Sequence, residues 1–141
     1  MMEQRTVLVA DDDEVLRALI VELLEGDLGL RVLAAADGYQ AILTVQHERP
    51  DLILLDLRMP RVDGYGVLRW LKARGTTAAI PVLALTASAD ADLAHALARG
   101  CRGAVAKPFD IDELLDAVRA ALAPADERTT EGEQTAPPAL R

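Results

Sequence analysis

Three aspartates, one threonine and one lysine carry the reactive chemistry of this chain. Asp56 ends the run Pro50-Asp51-Leu52-Ile53-Leu54-Leu55-Asp56-Leu57-Arg58-Met59-Pro60. An unpaired ionised carboxylate inside such an apolar stretch would cost several kcal/mol or turn neutral. Asp56 therefore belongs where a strand ends and solvent begins. In an open parallel sheet the strand C-termini share one edge, and ligands bind there. Taking the residue or residues that end each apolar run brings Asp11 and Asp12, Asp56, Thr86 and Lys107 to that edge. Clustered carboxylates raise one another's pKa by repulsion. A hard divalent cation such as Mg2+ removes the conflict, because it takes oxygen ligands from one or two carboxylates and from phosphate. Asp11 and Asp12 also suit a helix N-terminus, although Asp11-Asp12-Asp13 holds more acids than a cap needs. Lys107 and Lys72 are the two lysines among 15 Lys and Arg residues. A lysine ammonium is a compact point charge suited to following a phosphate, whereas arginine imposes a planar fork. Thr86 could cap the next helix or donate to a phosphoryl oxygen. Together the five residues specify phosphoryl chemistry: a carboxylate attacks phosphorus, and cations neutralise the equatorial oxygens.

The elements that must position these groups are short and regular. Thr6–Ala10 reads as a strand running into Asp11-Asp12-Asp13-Glu14, and a helix follows with Val15, Leu16, Leu19, Ile20, Leu23 and Leu24 at helical spacing, ending at Gly26. Leu30–Ala34 is a second strand; Asp37-Gly38 opens a helix with Ala41, Ile42 and Val45 inward. The four aliphatics before Asp56 form a strand buried on both faces. A third helix turns Val67, Leu68 and Leu71 inward and closes at Gly75. Ile80–Leu85 is the fourth strand, with Pro81 at its start. An Ala-rich helix carrying Leu93 and Leu97 ends at Gly100, Ala104–Ala106 is the fifth and weakest strand, and the last helix presents Ile111, Leu114, Leu115, Val118 and Leu122. Strand and helix alternate without a hairpin signal, which predicts an α/β fold, a doubly wound parallel sheet.

Composition bounds the alternatives. The 141 residues make one domain, predicted over 1–123, and 124–141 mixes Pro, Thr, Glu and Gly without periodicity and reads as a disordered acidic tail. That tail suits a linker, a partner-binding segment or neither. The net charge of −8 and the lack of a Lys/Arg cluster argue against DNA binding. A single cysteine, Cys101, excludes an internal disulfide and a four-cysteine metal site. No apolar run reaches the roughly 18 residues of a membrane span. The N-terminus lacks a signal peptide's apolar region, so a cytoplasmic location is expected.

Four motifs in order carry a specific resemblance: Val7-Leu8-Val9-Ala10-Asp11-Asp12-Asp13, the stretch Asp51–Pro60 with Asp63-Gly64, Leu85-Thr86-Ala87, and Lys107-Pro108-Phe109. From about Arg5 to Ala123 the sequence resembles the receiver domain of two-component response regulators. The resemblance implies a flavodoxin-like five-stranded sheet in the order 2-1-3-4-5. It implies phosphorylation of Asp56 by a histidine kinase or histidine phosphotransfer protein. Mg2+ would be held by Asp12, Asp56 and the backbone carbonyl of Arg58, with Asp11 helping through water. Lys107 would contact the phosphoryl group and precede a cis proline, and Thr86 would move toward the phosphate. The family often places an aromatic residue three positions before the lysine, and here that position is Ala104. A methyl group cannot perform the ring's rotamer switch, so backbone shifts around Thr86 to Ser88 are expected in its place.

The chain then reads as a stand-alone phosphoacceptor switch, monomer or weak dimer, that is not an enzyme beyond its own phosphorylation and slow dephosphorylation. A downstream protein would dock on the last two helices and last strand, with His95 and Arg99 on or near the exposed side. Arg58 and Ser88 flank the expected water path. Two other classes share the inventory: an Asp-nucleophile phosphatase acting on small esters, and a degenerate receiver used only for interaction.

Overall fold

In a computed structural model of the chain, residues 4–87 and 89–123 are described. The expected tail 124–141 and Ser88 lie outside them. Ten elements alternate: β1 (Thr6–Ala10), α1 (Glu14–Leu28), β2 (Arg31–Ala35), α2 (Gly38–His47), β3 (Leu52–Asp56), α3 (Gly64–Lys72), β4 (Val82–Thr86), α4 (Ala89–Ala98), β5 (Gly103–Ala106) and α5 (Ile111–Leu122). The five strands are parallel in the order β2-β1-β3-β4-β5. The doubly wound sheet is the one the strand–helix alternation predicts, and its strand order is the one the resemblance implies.

Strand alternation divides the core into two layers. Val7 and Val9, Leu52 and Leu54, and Leu83 and Leu85 pack with Ile20 and Leu24 of α1 and Leu114, Leu115 and Val118 of α5. Leu8 and Ala10, Ile53 and Leu55, and Val82 and Ala84 face the opposite layer with Ala41, Val67, Leu71 and Ala96. All of β3 is buried. At about 1.5–3 kcal/mol for each fully buried Leu or Ile, its four aliphatics anchor the strand that ends in Asp56.

Several boundaries differ from the sequence expectation. Gly26 lies inside α1; the helix stops at Gly29, whose φ of 64° lets Gly29 and Leu30 N–H reach the carbonyls of Glu25 and Leu24. Helix α3 ends at Lys72 rather than Gly75, because the buried Thr77 hydroxyl donates to the Leu71 carbonyl at 2.7 Å and the chain turns there. Val15 and Leu19 point outward from α1, Leu93 and Leu97 from α4, and Ile111 from α5. The inward residue of α4 is Ala96, small enough for the helix to lie close to the sheet.

Candidate functional site

Each site residue is set by the end of a strand. Asp11 follows β1 and is fully buried; its Oδ1 accepts the Asp13 N–H at 2.8 Å. Asp13, third of the acids, caps α1 by accepting the Leu16 N–H at 3.1 Å. Asp11 and the exposed Asp12 are thereby spared that task. Asp56 is the last residue of β3 and only 5 % exposed. Its Oδ1 accepts the Arg58 N–H at 3.0 Å, and its Oδ2 accepts from Lys107 Nζ at 3.2 Å. Asp11, Asp12 and Asp56 each bring a carboxylate oxygen within 4.8 Å of the others.

Lys107 leaves the edge strand β5, and its own N–H donates to the Thr86 carbonyl at 2.7 Å. The Lys107–Pro108 peptide bond is cis, as the resemblance implies. Its Nζ stands 2.8 Å from Asp11 Oδ2 as an ion pair, and this buried oxygen has no other partner among the described residues. Burial pushes the Asp56 carboxyl up to about 6 and the Asp11 charge adds to the rise, while the Arg58 N–H and Lys107 pull it down. Burial works against the Lys107 ammonium, but the two carboxylates more than offset it and its pKa is raised. The pocket is thus short of positive charge. Three carboxylates converging within 4.8 Å, with one ammonium between two of them, fit a hard divalent cation.

The loop after β3 closes tightly over Asp56. Gly64 opens α3, and a Cβ there would collide with the Asp56 carbonyl oxygen and lie 2.6 Å from Leu57 Cα. Two concavities of about 460 Å³, one at Val45, Arg49, Trp70 and Arg74 and one at Arg17, Val21 and Glu25, are not lined by Asp11, Asp12 or Asp56.

Thr86 ends β4, buried beside Asp56's strand, and its Oγ1 donates to Asp92 Oδ2 of α4 at 2.5 Å. Asp92 has no counterpart in the sequence reading, since an acid near a helix start is ordinarily read as favouring the helix dipole. His95 and Arg99 are both exposed. The His95 ring meets Tyr65 of α3 edge-on, with centroids 4.9 Å apart, and the Arg99 guanidinium sits 5.8 Å over the same ring. Both border the seam between α3 and α4. Ala104 sits in β5 opposite Ala84 and packs against the core.

Comparison with known proteins agrees with this geometry. The family model described as response regulator receiver domain matches residues 7–119. The chain is 38% identical over 131 residues to the DNA-binding response regulator MtrA of Mycobacterium tuberculosis, covering 92% of this chain and 55% of that protein. The chain thus spans about half the length of the curated relatives it matches. A response regulator structure from Chloroflexus aurantiacus superposes with a TM-score of 0.81 at 30% identity, over 86% of this chain and 100% of that one. The receiver domain of sensor histidine kinase PA1611 from Pseudomonas aeruginosa, with a magnesium ion coordinated in its active site cleft, gives 0.77 at 33% identity, over 85% and 98%. No helix among the described residues is long and apolar enough to cross a membrane. The chain belongs to the response regulator receiver domain family, the phosphoacceptor switch of two-component signalling.

Proposed function

We propose that Asp56 is the phosphoacceptor. An Asp56 carboxylate oxygen forms a bond to phosphorus while the bond from phosphorus to the donor's imidazole nitrogen breaks, and that nitrogen keeps the electron pair. The product is an acyl phosphate, whose later hydrolysis returns the carboxylate. The donor is a histidine kinase or histidine phosphotransfer protein, a partnership that goes with a cytoplasmic location. Asp11, Asp12, Asp56 and the backbone carbonyl of Arg58 would hold Mg2+, which when bound supplies positive charge to the phosphoryl oxygens. Lys107 holds the attacking carboxylate in place and then neutralises a phosphoryl oxygen. The Thr86 hydroxyl supplies a further donor. Arg58 flanks the path of the hydrolytic water; Ser88, paired with it in the sequence reading, lies outside the described residues.

The observation that carries this reading is the Lys107 ammonium bridging Asp11 and Asp56, whose carboxylates cluster with that of Asp12. Downstream, the chain works by changing how a protein partner binds the α4, β5 and α5 elements. Intact mass after acetyl phosphate and Mg2+ tests the chemistry. A gain of one phosphoryl group, absent in Asp56→Asn, is expected. No gain in the natural sequence would leave the domain an interaction module.

A further inference from the structure

A receiver must link its phosphoryl site to a surface, and the ring often used for this is absent at Ala104. Another route is built. Thr86 Oγ1 carries one proton and donates it to Asp92 Oδ2 at 2.5 Å. The same proton cannot serve a phosphoryl oxygen on Asp56 at the same time. Asp92 and His95 of α4 and Arg99 just past its end are spaced i, i+3 and i+7, and hence share one face. That face meets Tyr65 of α3, through the His95 ring edge and the Arg99 guanidinium. The Asp92 charge also acts on Tyr65, adding to burial in raising its phenol pKa. One face of α4 therefore connects the tip of β4, through Asp92, with the α3–α4 seam.

We propose that Asp92 is a positioning residue for the phosphoacceptor reaction: it holds the Thr86 hydroxyl in the unphosphorylated domain, and its release on phosphorylation repacks the Tyr65–His95–Arg99 seam. This rests on the reading of Asp56 as phosphoacceptor. In the resting state the hydrogen bond to a carboxylate opposes the turn of Thr86 toward the phosphoryl group. Once that group forms, the hydroxyl transfers to it, and the Asp92 carboxylate is left beside His95 and Arg99. A local exchange of one hydrogen bond is thereby read out on a helix seam, with no ring required at position 104.

The test measures phosphorylation rate with limiting acetyl phosphate and Mg2+, together with the His95 ring resonances by NMR. Asp92→Ala should phosphorylate about tenfold faster, the factor expected for removing a competing hydrogen bond to a charged acceptor. Asp92→Asn, which keeps a weaker acceptor, should fall between. In a Thr86→Val background the Asp92→Ala gain should vanish, which a merely structural role of Asp92 does not predict. The His95 resonances of the natural chain should shift on phosphorylation, and those of unphosphorylated Asp92→Ala should already lie toward the shifted position. Equal rates for Asp92→Ala and the natural chain, or a gain that persists in the Thr86→Val background, would overturn the inference while leaving Asp56 as phosphoacceptor. No phosphoryl gain in the natural chain would overturn both.

Discussion

Lys107, at the end of the edge strand β5, reaches back past the tips of β4 and β3 to place its Nζ 2.8 Å from Oδ2 of Asp11 at the end of β1. The flexible four-carbon stem makes that span, and the compact ammonium fits between two carboxylates. A guanidinium is wider and planar. Lys107→Arg should therefore recover little of the activity lost in Lys107→Ala. Both should slow phosphorylation by acetyl phosphate by about 10²-fold, as for removal of one preorganised electrostatic donor. Initial rates by intact mass decide it, and a fully active Lys107→Arg protein would refute the steric account.

Cys101 is buried against the α3–α4 layer, and burial pushes its thiol from 9.0 up to about 11. The folded state keeps a proton that the unfolded chain loses, so this contribution is complete below about pH 9 and fades as pH rises toward 11. The natural chain should lose up to about 2–3 kcal/mol of stability over that window beyond the loss in Cys101→Ala. Denaturant melts of both proteins across the window provide the comparison. At neutral pH the native thiol should resist alkylation and react only on unfolding.

The sheet and most of the site were legible in the sequence because apolar runs stop at named polar residues. Leu52 to Leu55 had no alternative to a doubly buried strand, and the acid after them had to lie at its tip. Where a residue's role depends on a distant neighbour, the pattern was silent. Gly26 and Gly29 look alike as helix stops, and only the backbone path into β2 selects the second. Leu93 and Leu97 are the large apolar residues that the sequence marks on α4, yet both are exposed while Ala96 is buried, Asp92 reaches the tip of β4, and His95 and Arg99 meet α3. Asp92 lies six residues after Thr86, and its hydrogen bond to Thr86 exists only once the turn between β4 and α4 is built. Helical periodicity finds the buried stripe of α1 and α5 but also takes in exposed Val15, Leu19 and Ile111. It does not report which exposed side chains meet across a seam.

Two glycines should respond oppositely to alanine. Gly64 approaches the backbone of Asp56 and Leu57 so closely that a methyl group must displace the loop carrying the site. Gly26 lies in the last turn of α1 with nothing within 4 Å of its would-be Cβ. Gly26→Ala should stabilise by about 0.5 kcal/mol, the low end of the gain for replacing a helical glycine. Gly64→Ala should destabilise by about 2 kcal/mol or more and slow phosphorylation as well. Urea melts and acetyl phosphate rates test both, and a neutral Gly64→Ala would show that the loop has slack.

Asp56 should weaken the metal-free fold that it serves. Its carboxyl is raised from 3.8 to about 6, first by burial, so the folded state holds a proton that the unfolded chain has already released. Stability therefore falls as pH rises across that interval and stays reduced above it. Asp56→Asn, which cannot ionise, should exceed the natural chain in chelator at about pH 8 by about 1–3 kcal/mol, and the gap should close toward about pH 4. On the proposed reading Mg2+ would bind the folded natural chain through the carboxylate that the variant lacks, so adding it should narrow the gap in proportion to the logarithm of its concentration. Thermal melts with chelator and with Mg2+ separate the two contributions. A natural chain as stable as Asp56→Asn without metal would mean that Lys107 alone balances the buried charge.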